Sequence, residues 1–396
     1  MSDQRLIPLL LLLALLTGAC STTGIKDMTS SVTGMFGKGD RTEDLEGTML
    51  QTALEDQGST GAHTGSDPEA GWRDDINYWR YGDHTVAGLP QLEAYCNTVL
   101  DRVLTGWEGN PVGAHVYVSP ENSFGAYTLP NGAIFVSLGT LKTLDSEDEL
   151  AALLGHEASH LILEHHGSDS LKQASGWLSD AVQVYGRSGI GDQHDFARAR
   201  AATWAIDKAL FPAWARGQEN EADALGTDLL VAAGYNADAM IGLLKKIETH
   251  TAQRQAWLDE QPQLDFTPDT GSTPEASAEQ IKQQLVKLAD EMGKNLEVQL
   301  AAEHDAAVER QVRVREYLRA KHLQRPRPAY QDASYAAALK HRPVAERIRQ
   351  YGQVHEAERI LLESSDIGRA AAVGAKALGG QLGEDPYTRM FMYRLR

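Results

Sequence analysis

Residues 153–166 read LLGHEASHLILEHH, and no other stretch limits the possible folds as much. His156-Glu157-Ala158-Ser159-His160 has the form H-E-x-x-H. On an α-helix, positions i and i+4 lie on one face, so both imidazoles can meet one metal ion. Glu157 stands one step round the helix, within reach of a metal-bound water. The ion lowers the pKa of that water toward about 7, and a carboxylate can take its proton. The bland alternative is an exposed helix that happens to carry two histidines. Leu150, Leu153, Leu154, Leu161 and Ile162 argue instead for a buried helix, where two imidazoles need a reason. Ser146-Glu147-Asp148-Glu149 has the S-x-x-E form of a capping box and opens this helix, which runs to about residue 166. His165 and His166 trail it, and a structural or solvated role outweighs ligation for both.

An open zinc site needs a third protein ligand. The best candidate segment is Glu219-Asn220-Glu221-Ala222-Asp223, in a predicted helix over 218–233. Glu219 and Glu221 lie about 200° apart round such a helix, so they do not easily share one metal. H-E-x-x-H followed by an E-x-E-A-D helix resembles the gluzincin metallopeptidases of the CAAX-prenyl-protease and heat-shock-protease type, peptidase family forty-eight, in its bacterial periplasmic lipoprotein branch. The resemblance implies that Glu219 is the third ligand of one Zn2+, with His156 and His160. It implies that Asp223, one turn on, orients a ligating histidine, and it also matches Arg216.

Further segments carry the same resemblance. Residues 122–141, NSFGAYTLPNGAIFVSLGTL, resemble the strand before the zinc helix in that family. The implied role of Ala133, Ile134, Phe135 and Val136 is to bind extended substrate by backbone pairing. The alternative is an internal strand, because the motif does not say which edge is free. Ala233-Gly234-Tyr235-Asn236 matches as well. Late in the chain, His341-Arg342-Pro343-Val344-Ala345-Glu346-Arg347-Ile348 resembles the family's H-P-x-x-x-x-R-[IL] segment, with the proline displaced by one. The resemblance puts His341 beside the metal, donating to a tetrahedral oxyanion or occluding the site, with Arg347 in support. The alternative is two surface residues. The resemblance covers residues 72–260 and 335–350, which leaves the stretch before His341 as an insertion.

The remaining organisation follows from periodicity. A helix is predicted over 89–107, then strands over 115–119 and 133–136 with a Pro-Asn-Gly turn at 130–132. Helical patterns continue over 168–185, 194–210 and 237–259, followed by a loop at 262–275. A long helix over 277–323 is stopped by Pro326 and Pro328, and 344–396 reads as two or three helices. The expected fold class is α+β and mainly helical. It has a gluzincin metalloprotease core with a small β-sheet, a long helical-hairpin insertion and a helical C-terminal tail. The expected divisions are a signal peptide at 1–19, a flexible tether at 20–70 with a short helix near 45–54, the core at 71–260, the insertion at 261–335 and a completing segment with C-terminal helices at 336–396.

The 396 residues carry 37 basic and 55 acidic side chains, a net charge of −18 that argues against nucleic acid as a partner. Residues 310–327 run the other way, with Arg310, Arg313, Arg315, Arg319, Lys321, Arg325 and Arg327 against Glu316. That run reads as a solvated helix end or as a contact for anionic lipid head groups. Two cysteines allow no disulfide framework. Residues 6–16 form an apolar run of 11, short of the roughly 20 that span a membrane. The run ends in a sequence that resembles a bacterial lipobox, with Thr17 where an aliphatic residue is usual. This implies cleavage before Cys20 and its lipidation; the alternative is an ordinary signal peptide cut nearby. Ser21 favours the outer membrane, on its periplasmic face in a Gram-negative envelope. Cys96 sits in an apolar helical pattern and reads as core. The function that the resemblance implies is zinc-dependent cleavage of unfolded or misassembled envelope proteins. The alternative is a lipoprotein chaperone or assembly factor working through the insertion and C-terminal helices.

Overall fold

The computed structural model describes residues 40–42, 45–57, 67–81, 84–165, 216–260, 306–364, 366–379 and 382–395. The signal peptide, Cys20, the helices expected over 168–185 and 194–210, His166 and the loop at 262–275 lie outside them. The elements are mostly helices: α1 Met49–Gln57, α2 Pro68–Tyr81, α3 Pro90–Leu104, then β1 His115–Ser119, β2 Ala126–Thr128 and β3 Ala133–Ser137. After the strands come α4 Leu138–Thr143, α5 Glu147–Ile162, α6 Arg216–Ala232 and α7 Ala239–Glu260. A helix over 306–321 (α8) precedes α9 Asp332–Lys340, α10 Arg342–Ser364, α11 Ile367–Leu378 and α12 Pro386–Arg394. The described residues are thus mainly helical with one small sheet, as the periodicity predicts. Among the described residues, no helix is long and apolar enough to cross a membrane.

The sheet has the order β1-β3-β2, with β3 parallel to β1 and antiparallel to β2. This corrects one expectation. Ala133, Ile134, Phe135 and Val136 form the central strand, paired on both sides, and have no edge to offer a substrate. Both faces of β3 are covered. Ala133 and Phe135 face α2, where Trp79 stacks on Phe135 at 4.2 Å, while Ile134 and Val136 face the main core. A strand buried on both faces reads as a continuous apolar run, which is what AIFV is.

The outer edge of β1 is closed. Asn97 bonds both Val116 N–H and Val116 C=O, Glu93 accepts from Val118 N–H, and Ala87 N–H donates to Val118 C=O. Among the described residues no strand pairs with the outer side of β2, so β2 carries the sheet's open edge.

α5 is buried on every side except at Leu161. Its N-terminus is capped by Ser146, whose hydroxyl accepts from Glu149 N–H at 3.2 Å. The reciprocal half of the box is displaced, because the Glu149 carboxylate accepts from Asp145 N–H. The first-turn acids lie at the positive end of the helix and are also bonded across the fold. Glu147 accepts from Tyr95 and Tyr235, and Asp148 accepts from Asn236 N–H and Gln331 N–H.

A second correction concerns the tether. Residues 45–57 are part of the folded body. Met49 is fully buried and Ala53 nearly so, spaced i and i+4 on the face of α1 that meets α6. The N-terminus of α1 is held as well, with Leu50 N–H on Asp228 and Met49 N–H on the Tyr317 hydroxyl. Surplus acidic and small polar residues hid two apolar anchors, and these decide where the segment lies.

Candidate metal centre

α5 and α6 cross at glycines. A Cβ on Gly226 would lie 3.0 Å from His156 N and 3.1 Å from Gly155 C, so any side chain there would push the helices apart. This close approach sets the histidines of α5 against the acids of α6. His156 Nε2 lies 3.1 Å from His160 Nε2, and the Glu219 carboxylate lies 3.6 Å from His156 Nε2 and 3.5 Å from His160 Nε2. These three residues could hold a metal ion. Ligands about 2.0–2.1 Å from a tetrahedral zinc stand roughly 3.3 Å apart, close to the spacing of the two Nε2 atoms and of each from its nearest Glu219 oxygen, Oε2 for His156 and Oε1 for His160.

The outer nitrogens fix which way the lone pairs point. His156 Nδ1 donates to Asp223 at 3.0 Å. Glu221 accepts from His165 Nε2 at 3.3 Å, which leaves His165 Nδ1 to accept from His160 Nδ1 at 2.8 Å. Both inner Nε2 atoms are then bare, as inferred from these partners. Two lone pairs 3.1 Å apart repel unless a cation lies between them, so the donor set suits a bound ion. His165 reaches His160 because Glu164 turns the chain at φ 53°, the left-handed conformation that often ends a helix, and His165 N–H bonds back to His160 C=O.

Glu157 is buried beside β2, and its carboxylate accepts from the Thr128 hydroxyl at 2.5 Å. Burial pushes its pKa up, while His156, Thr128 and Arg310 pull it down. Burial also raises Asp223, but Arg310 and His156 outweigh it and hold that carboxyl at about 2. Glu221 is likewise held at about 2, because His165 and Arg41 overcome its burial.

Residues 90–317 match Peptidase family M48, more than half of the chain. The chain belongs to this family. It is 23% identical over 181 residues to a protein named beta-barrel assembly-enhancing protease from Yersinia pestis, covering 45% of this chain and 36% of that one. It is 25% identical over 155 residues to metalloprotease YcaL of Escherichia coli, covering 39% of this chain and 58% of the relative. Mitochondrial metalloendopeptidase OMA1 of Schizosaccharomyces pombe is 24% identical over 173 residues, 44% of this chain and 49% of its own length. The chain thus spans less than two thirds of the length of each of these relatives.

The structure brings together His156, Glu157, His160, Glu219 and Asp223, but not the other residues expected at the site. Arg216 faces outward at the start of α6 and pairs with Glu309 at 3.2 Å. His341 is exposed at the junction of α9 and α10. The Arg347 guanidinium lies against Gly88. The family match also ends at 317, before either of them.

The arginine at the site is Arg310 of α8. It is buried, bidentate on Asp223 at 2.7 and 2.8 Å, and 2.5 Å from Glu219. This overturns both readings of the basic run as far as Arg310 is concerned, and it takes α8 out of a peripheral insertion. A signal for it was present. His304 to Arg310 repeats the His-to-Arg spacing of six, without a proline, inside the matched region. His304 itself lies outside the described residues. Thr128 carried no signal, since its role depends on β2 lying beside α5.

Proposed function

We propose that this chain is a zinc-dependent endopeptidase, with His156, His160 and Glu219 as the protein ligands of one Zn2+. The observation that carries the reading is the convergence of the two Nε2 atoms, 3.1 Å apart, with the Glu219 carboxylate 3.5 and 3.6 Å from them and the buried Glu157 carboxylate nearby. A zinc ion there would lower the pKa of a water and polarise the peptide carbonyl. Glu157 takes the proton from the attacking water and passes it to the leaving amine. Thr128 aims that carboxylate. Asp223 fixes the tautomer of His156, and Arg310 balances the charge of Asp223 and Glu219. By its spacing of six from Arg310, His304 is the sequence candidate for the oxyanion-donating role that the resemblance first suggested for His341.

Extended substrate would pair with the open edge of β2 (Ala126–Thr128), where it would lie beside Glu157. Backbone pairing reads main chain and gives little sequence specificity. It suits unfolded or misassembled proteins, and the name of the Yersinia relative supports envelope substrates. A lipid anchor at Cys20, on the periplasmic face of the outer membrane, would hold the enzyme near them.

The test measures bound zinc and casein cleavage. Wild type should carry about one zinc and cleave casein, and Glu219→Ala should lose both. Glu221→Ala should still load zinc, because its carboxylate points at His165 and Arg41. Zinc retained by Glu219→Ala and lost by Glu221→Ala would overturn the ligand set. A second expectation concerns pH. The Thr128 hydroxyl lowers the Glu157 pKa, so Thr128→Val should raise it. The acid limb of the kcat/KM profile then moves to higher pH. An unmoved limb would remove Thr128 from the mechanism.

A further inference from the structure

Glu221 is almost fully buried, yet its second partner comes from far away in the chain. Arg41 Nη2 lies 2.5 Å from Glu221 Oε2, and Arg41 N–H donates to Oε1 at 3.3 Å. The other arm of the same guanidinium bonds Asp56 of the segment that holds α1, at 2.8 Å. Asp40 next to it accepts from Asn220 Nδ2 at 2.5 Å and from Arg313 at 3.2 Å. Arg41 is therefore braced from both sides. A lone surface ion pair loses much of its worth to side-chain entropy and screening. Here the partner carboxylate is buried, and α1, whose Asp56 takes the other arm of Arg41, is pinned at its start by Asp228 and Tyr317.

Glu221 Oε2 is also the oxygen that meets His165 Nε2, and His165 Nδ1 meets His160 Nδ1. We propose that Arg41 is a positioning residue for the metal centre: it fixes the Glu221 carboxylate, Glu221 holds His165, and His165 orients the His160 ring. The segment that follows the proposed anchor thus becomes part of the support of the site, and its docking is coupled to metal retention. This rests on His160 being a metal ligand, as proposed above. Outer partners of ligating histidines typically change metal affinity by about 10- to 100-fold, and a residue one step further out should have a smaller effect.

The experiment uses the full chain loaded with Zn2+ or Co2+. It compares wild type, Arg41→Ala, Arg41→Lys, Glu221→Gln and the double variant Arg41→Ala/Glu221→Gln. Zinc release to a chromophoric chelator and the visible absorption of the Co2+ form are read beside a thermal melt. Arg41→Ala should release zinc roughly 3- to 10-fold faster and shift the Co2+ bands. Arg41→Lys should recover part of the loss, and the double variant should be no worse than Glu221→Gln alone. Wild-type release and an unchanged Co2+ spectrum in Arg41→Ala would overturn the proposal. So would a full additive effect in the Glu221→Gln background, which would mean that Arg41 acts only through general stability. If wild type itself binds no zinc, the failure lies with the metal reading and not with Arg41.

Discussion

Glu157→Gln should give a folded, zinc-loaded protein whose kcat/KM on casein is lower by about 10²- to 10⁴-fold. The amide has the shape of the carboxylate and can still accept from the Thr128 hydroxyl, so the helix and the ligand triangle remain. It cannot take a proton from water, so the step that makes the nucleophile is lost. The same variant has a stability signature. Burial raises the Glu157 pKa, so the folded state favours the neutral form. For a raised carboxyl, the stabilising contribution is complete below the unfolded pKa and is lost as pH rises through the folded one. In metal-free protein, Glu157→Gln should therefore gain thermal stability over wild type more at pH 8 than at pH 4. Casein cleavage within a few-fold of wild type, at equal zinc content, would remove Glu157 as the base.

Arg310→Met should be the most destabilising of the substitutions considered. The methionine keeps apolar volume but removes a cation that bridges Asp223 and Glu219. Breaking a buried ion pair on one side leaves charge uncompensated and costs about 3–5 kcal/mol. For a domain of this kind that corresponds to a fall in Tm on the order of 10 °C. Arg310→Lys should fall in between, because an ammonium cannot reproduce the two-pronged contact with Asp223. Were Arg310 merely part of a solvated helix end, the change would stay within about 0.5 kcal/mol. A thermal melt separates the two, and a Tm within a degree of wild type would remove Arg310 from the site.

These two residues mark how far the site was legible before the fold was known. Glu157 could be found from the chain alone because its relation to His156 and His160 is local: one helix, capped by Ser146, places all three. Glu219 and Asp223 were found because the E-x-E-A-D segment resembles the family's second helix, which sets them one turn apart. Arg310 was missed because His304–Arg310 and His341–Arg347 have the same spacing, and local pattern cannot tell which arginine reaches Glu219 and Asp223. The displaced proline at 343 pointed to the wrong one. The substrate edge went wrong for a related reason. The apolar run in 133–136 marks a strand, but its neighbours lie at 115–119 and 126–128, and only their pairing makes it central.

The sequence by itself determined the helix that carries His156, Glu157 and His160, the mainly helical class and two of the three strands. Each of these rests on the geometry of a single helix or strand, which repeats at 3.6 or 2 residues wherever it forms. Only the tertiary structure decided that Arg310 neutralises the site, that β2 and not β3 is an outer strand among the described residues, and that Arg41 lies against Glu221. Those contacts join segments far apart in the chain. Which segments meet is decided by how Gly155 and Gly226 let two helices close, and by where Met49 and Ala53 find a place to be buried.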